Sequence, residues 1–199
     1  RIYLSFKIWG IECNELVSNK DKIYLLNLPK DLPSIQWVYD EIDRIWDSLE
    51  LNNKKPFLEQ DINSFYNHPV WIMNGLFAEA DPLSKNHRIN IAKFINENNV
   101  KKLADYGGGS ATFATLVFSQ NSSMHIDIVE PYVSEFFKEK ISNYTSINFV
   151  NDFIINDYDA AISQDVLEHI EDPIETAFKI ASNVKEGGLV IFADCYHPV

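Results

Sequence analysis

The sequence predicts an α/β fold, a doubly wound parallel sheet preceded by an N-terminal hairpin and a helical cap. Three observations carry this. From Val100 onward, short apolar runs with strand character alternate with helical patterns, the grammar of βαβ units. Three consecutive glycines, Gly107 to Gly109, lie where one such strand passes into a helix, and five of the seven glycines fall after residue 100. Before that point the pattern is different: a period of two at residues 2–9, then helical spacing as far as Asn96.

Residues 2–9 put Ile2, Leu4, Phe6 and Ile8 on one face and Tyr3, Ser5, Lys7 and Trp9 on the other, a half-buried strand. Lys22–Leu28 reads as a second strand, the partner in a hairpin. Ser34 is placed to cap a helix with apolar residues at Ile35, Val38, Ile42, Ile45 and Leu49. A further helix runs through Phe57, Leu58, Ile62 and Phe65 and is interrupted at His68-Pro69, because the residue before proline is pushed out of the helical region. Pro69 suits the first turn of a short helix through Val70, Trp71, Met73 and Leu76. After Asp81-Pro82 comes a helix over about Lys85 to Asn96. Strands are then expected at Val100–Tyr106, His125–Glu130, Ile147–Val150, Tyr158–Ser163 and Leu189–Ala193, and helices at Ala111–Phe118, Val133–Ile141 and Ile174–Val184. This divides the chain into a hairpin and cap over residues 1–83 and a sheet domain over 84–199.

Composition narrows the function. With 46% apolar residues the chain can bury a core, and its longest apolar runs fall well short of the roughly 20 residues that span a bilayer, so no membrane partner is expected. A net charge of −12 without a basic cluster repels phosphate backbones, which argues against nucleic acid. Two cysteines, Cys13 and Cys195, are too few for a disulfide framework and fit a reducing, cytoplasmic compartment. The five histidines show no pair at ligand spacing, so no metal site is expected. The chain starts at Arg1 without a signal-peptide pattern, which fits a fragment of a longer protein.

The strongest local signal is Leu103-Ala104-Asp105-Tyr106-Gly107-Gly108-Gly109-Ser110-Ala111, a strand ending in an acid, then a glycine turn, then a helix start. Glycines let a ligand approach the backbone, and the free amides at a helix start favour an anionic group; a tight turn without a ligand is the plain alternative. A dinucleotide fingerprint fails because Thr112 stands where its third glycine belongs. The pattern D-x-G-x-G-[ST]-[GA] is met by Asp105, Gly107, Gly109, Ser110 and Ala111. This stretch resembles motif I of the class I S-adenosylmethionine-dependent methyltransferases, whose fold is Rossmann-like.

The family's other motifs follow in order. Ile126-Asp127-Ile128-Val129-Glu130 ends in an acid before Pro131, Asn151-Asp152-Phe153 follows the third strand, and Tyr158 to Pro173 contains the Val166-Leu167-Glu168-His169 signature. Val184-Lys185-Glu186-Gly187-Gly188-Leu189 resembles the turn into the fifth strand, with Glu186 in place of a proline. The signature is similar to that of the small-molecule branch, including quinone-biosynthesis and natural-product enzymes. The resemblance covers about residues 84–199 and departs from the family in lacking the last two strands after Val199.

The resemblance implies a cofactor, S-adenosyl-L-methionine, leaving as S-adenosyl-L-homocysteine. It would be held by Asp105, Gly107, Gly108, Gly109 and Ser110. Glu130 beside Pro131 would bond the ribose hydroxyls, Asp152 and Phe153 would meet the adenine, and Gln164 and Asp165 would pass the methionine portion. His169 is the candidate general base, with a structural role in the turn as the alternative. Tyr66 and His68, near the proline break, and His197 beyond the fifth strand are candidate acceptor contacts; for the first two a packed helical cap is the alternative. The expected function is methyl transfer to a small-molecule acceptor, a metabolite or a natural-product or glycan precursor. The competing readings are a non-catalytic interaction or regulatory subunit and a nicotinamide-dependent dehydrogenase. The oligomeric state stays open, with a homodimer one option.

Overall fold

A computed structural model of the chain describes residues 5–13, 17–52, 54, 58–154 and 156–195. It divides into two compact units, Arg1–Lys85 with Tyr132–Glu139, and Asn86–Pro131 with Lys140–Val199.

In the first unit β1 (Phe6–Ile8) and β2 (Ile11–Cys13) form an antiparallel hairpin in which Phe6 opposes Cys13 and Ile8 opposes Ile11. The turn residues Trp9 and Gly10 both have positive φ, 49° and 85°, which lets a two-residue turn follow the twist of its strands. The expected second strand at Lys22–Leu28 is instead part of a helix, α1 (Asn19–Leu26). Ser18 decides it: its side chain accepts from the Asp21 N–H at 3.1 Å and closes the first turn. Four consecutive apolar or aromatic residues, Ile23 to Leu26, cannot separate strand from helix by periodicity, and of the α1 residues only Leu25 is buried. The hairpin exists, but with its partner strand immediately after β1.

Helix α2 (Ile35–Ser48) starts where expected, with Ser34 Oγ accepting from the Trp37 N–H at 3.2 Å; Val38 and Ile45 are buried and Ile35 faces outward. After α3 (Glu59–Tyr66), Pro69 leads into α4 (Val70–Ala80), whose Val70, Ile72, Met73, Leu76 and Phe77 make it the most buried helix of this unit. Helix α5 (Pro82–Glu97) carries the chain onward.

The second unit alternates β3 (Lys102–Tyr106), α6 (Thr112–Gln120), β4 (His125–Val129), β5 (Ile147–Val150), β6 (Tyr158–Gln164), α8 (Pro173–Ser182) and β7 (Val184–Ala193). The intervening α7 (Glu135–Lys140) lies almost wholly in the first unit. The sheet is parallel throughout, in the order β5-β4-β3-β6-β7. From β3 the chain builds outward through β4 and β5 on one side, then crosses to β6 and β7 on the other. The β3/β6 boundary is thus the switch point, where open α/β sheets bind ligands at their carboxyl edge.

One sheet face, with Leu103, Ile126, Ile128 and Ile162, packs on Phe113, Ala114 and Val117 of α6 and on Ala92 and Ile95 of α5. The other face, with Ala104 and Ala161, packs on Ile180 of α8. Strand β7 begins earlier than the expected Leu189, since Val184 already pairs with Tyr158; a bulge follows, and Leu189 opposes Ala160. Gly187 turns through that bulge at φ 78°. Among the described residues no helix is long and apolar enough to cross a membrane.

Candidate functional site

At the carboxyl edge of β3 the chain leaves Asp105 and Tyr106 and enters the glycine turn, where the Gly107 N–H donates to Val129 O at 2.9 Å. Gly107 has φ 72°, and a Cβ there would lie 2.5 Å from Val166 Cγ2. A Cβ on Gly108 would collide with Asp105 Oδ2 and lie 2.8 Å from Ile128 Cγ2. Both positions therefore exclude any side chain. Ala111 caps α6 at φ 59°, and Ser110 and Thr112 share a hydroxyl hydrogen bond of 2.8 Å.

Asp105 is 2% exposed, and burial pushes its carboxyl up to about 7, with the Glu130 charge adding and Arg88 opposing. Its Oδ2 has no hydrogen-bond partner among the described residues, and neither do Ser163 Oγ, Gln164 Oε1 and Glu168 Oε2, all buried. Asp105 pairs with Ile162, so Asp105 and Gln164 share one sheet face across the β3/β6 boundary. Buried acceptors are ordinarily satisfied. Asp105 Oδ2 and Gln164 Oε1, open on one face at the ends of two adjacent strands, are placed to take donors from a ligand, whereas Ser163 faces the other side of the sheet and Glu168 lies beside the Asp194 carboxyl.

The other residues expected here take definite positions. Glu130 follows β4, its N–H donating to Val150 O at 2.9 Å, and the exposed Pro131 comes next. Asp152 is exposed and pairs with Lys179 Nζ at 2.8 Å; this bond holds its carboxyl below the usual range. Its Oδ1 also accepts from the Phe153 N–H at 2.8 Å. Phe153 stacks on Tyr106, with centroids 5.8 Å apart and planes 15° from parallel. Asp165 sits at the edge with φ 53°, and the exposed His169 ends a 3-10 turn, Leu167–His169, whose Leu167 is buried.

Two features escaped the sequence reading. Arg88 on α5 has a side chain only 15% exposed, with Nη2 3.7 Å from Asp165 Oδ2. Its spacing to the buried Ala92 and Ile95, four and seven residues on, puts it on the inward face of α5, and that signal was available in the sequence. The second is the clamp on the turn after β6. Asp194 Oδ1 accepts from the Val166 and Leu167 N–H groups at 3.1 and 3.0 Å, and Glu168 Oε1 accepts from the Cys195 N–H at 3.2 Å. Burial pushes Glu168 up to about 7, and the Asp194 carboxyl beside it adds to the rise. Its register with β7 could not be read from local pattern.

In the first unit Tyr66 stands between two rings, 5.3 Å from each of Trp71 and Tyr132, at 28° and 17° from parallel. His68 has other neighbours: its Nδ1 accepts from the Val70 N–H at 3.0 Å, and Tyr24 meets its ring edge-on at 5.3 Å. His197 lies outside the described residues. Among the described residues no three His, Cys, Asp or Glu side chains gather as metal ligands would.

A family model described as a methyltransferase domain matches residues 81–197. No curated protein is matched by sequence. Among solved structures, an O-methyltransferase family protein from Burkholderia thailandensis is similar with a TM-score of 0.58 at 15% identity, over 94% of this chain and 60% of that one. Human N-acetylserotonin methyltransferase, solved in complex with S-adenosylmethionine, is similar with a TM-score of 0.55 at 14% identity, over 96% and 60%. The mitomycin 7-O-methyltransferase is similar with a TM-score of 0.54 at 16% identity, over 81% and 51%. The chain thus spans at most about three-fifths of these structures, and at such identities they speak for the fold alone. Since the family model covers more than half of the chain and falls on the glycine turn, the acid-ended strands and the switch point, the chain belongs to the class I S-adenosylmethionine-dependent methyltransferases.

Proposed function

We propose that the protein transfers a methyl group from S-adenosylmethionine to a small-molecule acceptor. The observation that carries this is a pair of buried acceptors open among the described residues on one face of the β3/β6 edge, Asp105 Oδ2 and Gln164 Oε1. Such a pair suits a ligand rich in donors, and the amino-acid portion of the cofactor brings an ammonium. Gly107 and Gly108 let the turn pack closely against Val166 and Asp105, and Gly109 leaves the backbone open to the ligand, with Ser110 just before α6.

Asp105 and Gln164 accept from that ammonium. Arg88, shielded beside Asp165, supplies the positive charge that its carboxylate requires. Glu130, next to Pro131, offers two oxygens to the ribose hydroxyls. Asp152 receives the adenine amino group on Oδ2, since Oδ1 is taken by Lys179 and the Phe153 N–H, and Phe153 supplies an apolar face. The cofactor, when bound, supplies an activated methyl on a sulfonium. What the chain adds is alignment of the acceptor. His169, exposed at the same edge, takes a proton where the acceptor must lose one. Tyr66 and His68 are proposed as acceptor contacts, as is His197.

The test is calorimetric titration with S-adenosylhomocysteine, repeated on Glu130→Ala. Binding by the parent that is lost in the variant is the expected result. Undiminished binding in the variant would overturn the ribose assignment, and no binding by the parent would overturn the cofactor site.

A further inference from the structure

The first unit contains a cleft of about 500 Å³, formed by α1, α2 and the segment before α4. A volume of roughly 300–1,000 Å³ is that of small-molecule sites. Its walls include Tyr24, Trp37 and His68, and its charged groups are Lys20, Glu41 and Arg44.

Glu41 is already spent. Its side chain is 12% exposed, and Oε1 accepts from Tyr24 Oη at 2.8 Å and from Arg44 Nη2 at 2.7 Å, while Oε2 accepts from Arg44 Nε at 2.7 Å. A carboxylate so engaged has little to offer a cationic ligand. His68 is not a cation either. Its Nδ1 accepts a backbone N–H, which leaves the ring proton on Nε2, and burial together with Lys20 and Arg44 lowers its pKa; Asp21 and Glu41 oppose the shift without reversing it. The lining therefore holds the Arg44–Glu41 ion pair and one further cation, Lys20, in a chain whose net charge is −12. Arg44 keeps N–H groups not used by Glu41, and the Lys20 ammonium is exposed. Tyr24 and Trp37 offer ring surfaces.

We infer that this cleft binds a small aromatic carboxylate, its ring against Tyr24 and Trp37 and its charge on Lys20 and Arg44. The inference goes beyond the proposed methyl transfer and rests on the cleft alone.

The experiment is calorimetry and ligand-detected NMR on the full chain without cofactor. The probes are phenylacetate, 2-phenylethanol and 2-phenylethylamine, which share a ring and a chain length and differ in charge. Phenylacetate is expected to bind best. Lys20→Gln, at an exposed position, is expected to weaken it about tenfold, the worth of one charge-assisted contact, and to leave the alcohol unchanged. Trp37→Ala is expected to weaken both, with circular dichroism confirming the fold. Equal binding of the three probes, no binding of phenylacetate, or indifference to Lys20→Gln would overturn the inference. Titration of the same sample with S-adenosylhomocysteine reads the cofactor site separately, so failure of one does not pass for failure of the other.

Discussion

Gly108 and Asp105 share one packed position: the carboxylate Oδ2 occupies the space that a side chain on Gly108 would need. The acid at the end of β3 and the missing side chain of the turn are a single device, since either change alone displaces the other. Gly108→Ala is expected to destabilise the chain by about 1–3 kcal/mol, as overpacking of a filled site does, and to abolish S-adenosylhomocysteine binding. Thermal melts and calorimetry on the same variant check both.

Asp105 should also make binding depend on pH. Burial raises its carboxyl to about 7, and a cofactor ammonium bound against it requires the ionised form. Binding then expels a proton below that value. Affinity for S-adenosylhomocysteine is expected to fall by up to about tenfold per unit as the pH drops below 7, and to level off above it.

The same residue costs stability in the unliganded chain. A carboxyl raised in the folded state stabilises fully at pH below its unfolded value near 4, and that contribution is lost as the pH rises through about 7. A shift of this size has a ceiling of about 4 kcal/mol at neutral pH. Asp105→Asn, which carries no charge, is expected to raise the melting temperature at pH 8, to have a smaller effect at pH 4, and to weaken cofactor binding. A lower melting temperature at pH 8 would refute it.

The fold elements around this site that lie in one stretch of chain are legible in the sequence. Strand, glycine turn and helix start are local patterns, and Asp105 near the end of β3 and Glu130 just after β4 are read from where the apolar runs stop. The α1 helix was misread because Ile23 to Leu26 has no period to read, so a side-chain cap from Ser18 settles the matter. Arg88 could have been found, being in step with Ala92 and Ile95. The Asp194 clamp could not, because Val166 and Asp194 meet only through the register of β7 on β6. The cleft in the first unit was equally hidden. Tyr24 and Glu41 carry no shared motif, and only the packing of two helices brings a phenol to a carboxylate.

Arg88 separates charge from shape. Its guanidinium is mostly shielded and lies 3.7 Å from Asp165 Oδ2. Arg88→Gln is expected to weaken S-adenosylhomocysteine about tenfold or more, whereas decarboxylated S-adenosylhomocysteine, which lacks the carboxylate, should bind both proteins alike. Equal losses for the two ligands would show that Arg88 supports the fold and makes no carboxylate contact.

Tyr158 supplies the contrast, a buried polar contact away from the carboxyl edge of the sheet. Its hydroxyl donates to Asp127 Oδ2 at 2.8 Å, and both residues are fully buried between β6 and β4. Asp127 Oδ1 also faces His125 Nε2 at 3.2 Å and Asn148 Nδ2 at 3.4 Å, so its carboxylate relies on three neighbours. Tyr158→Phe keeps the ring and removes one donor from a buried acid, which costs about 1–3 kcal/mol. The melting temperature should fall at neutral pH. Affinity for S-adenosylhomocysteine should stay at the parent value, because the pair lies at the opposite end of β6 from Gln164. A loss of affinity without a loss of stability would contradict this division between the polar groups that hold the sheet and those that wait for a ligand.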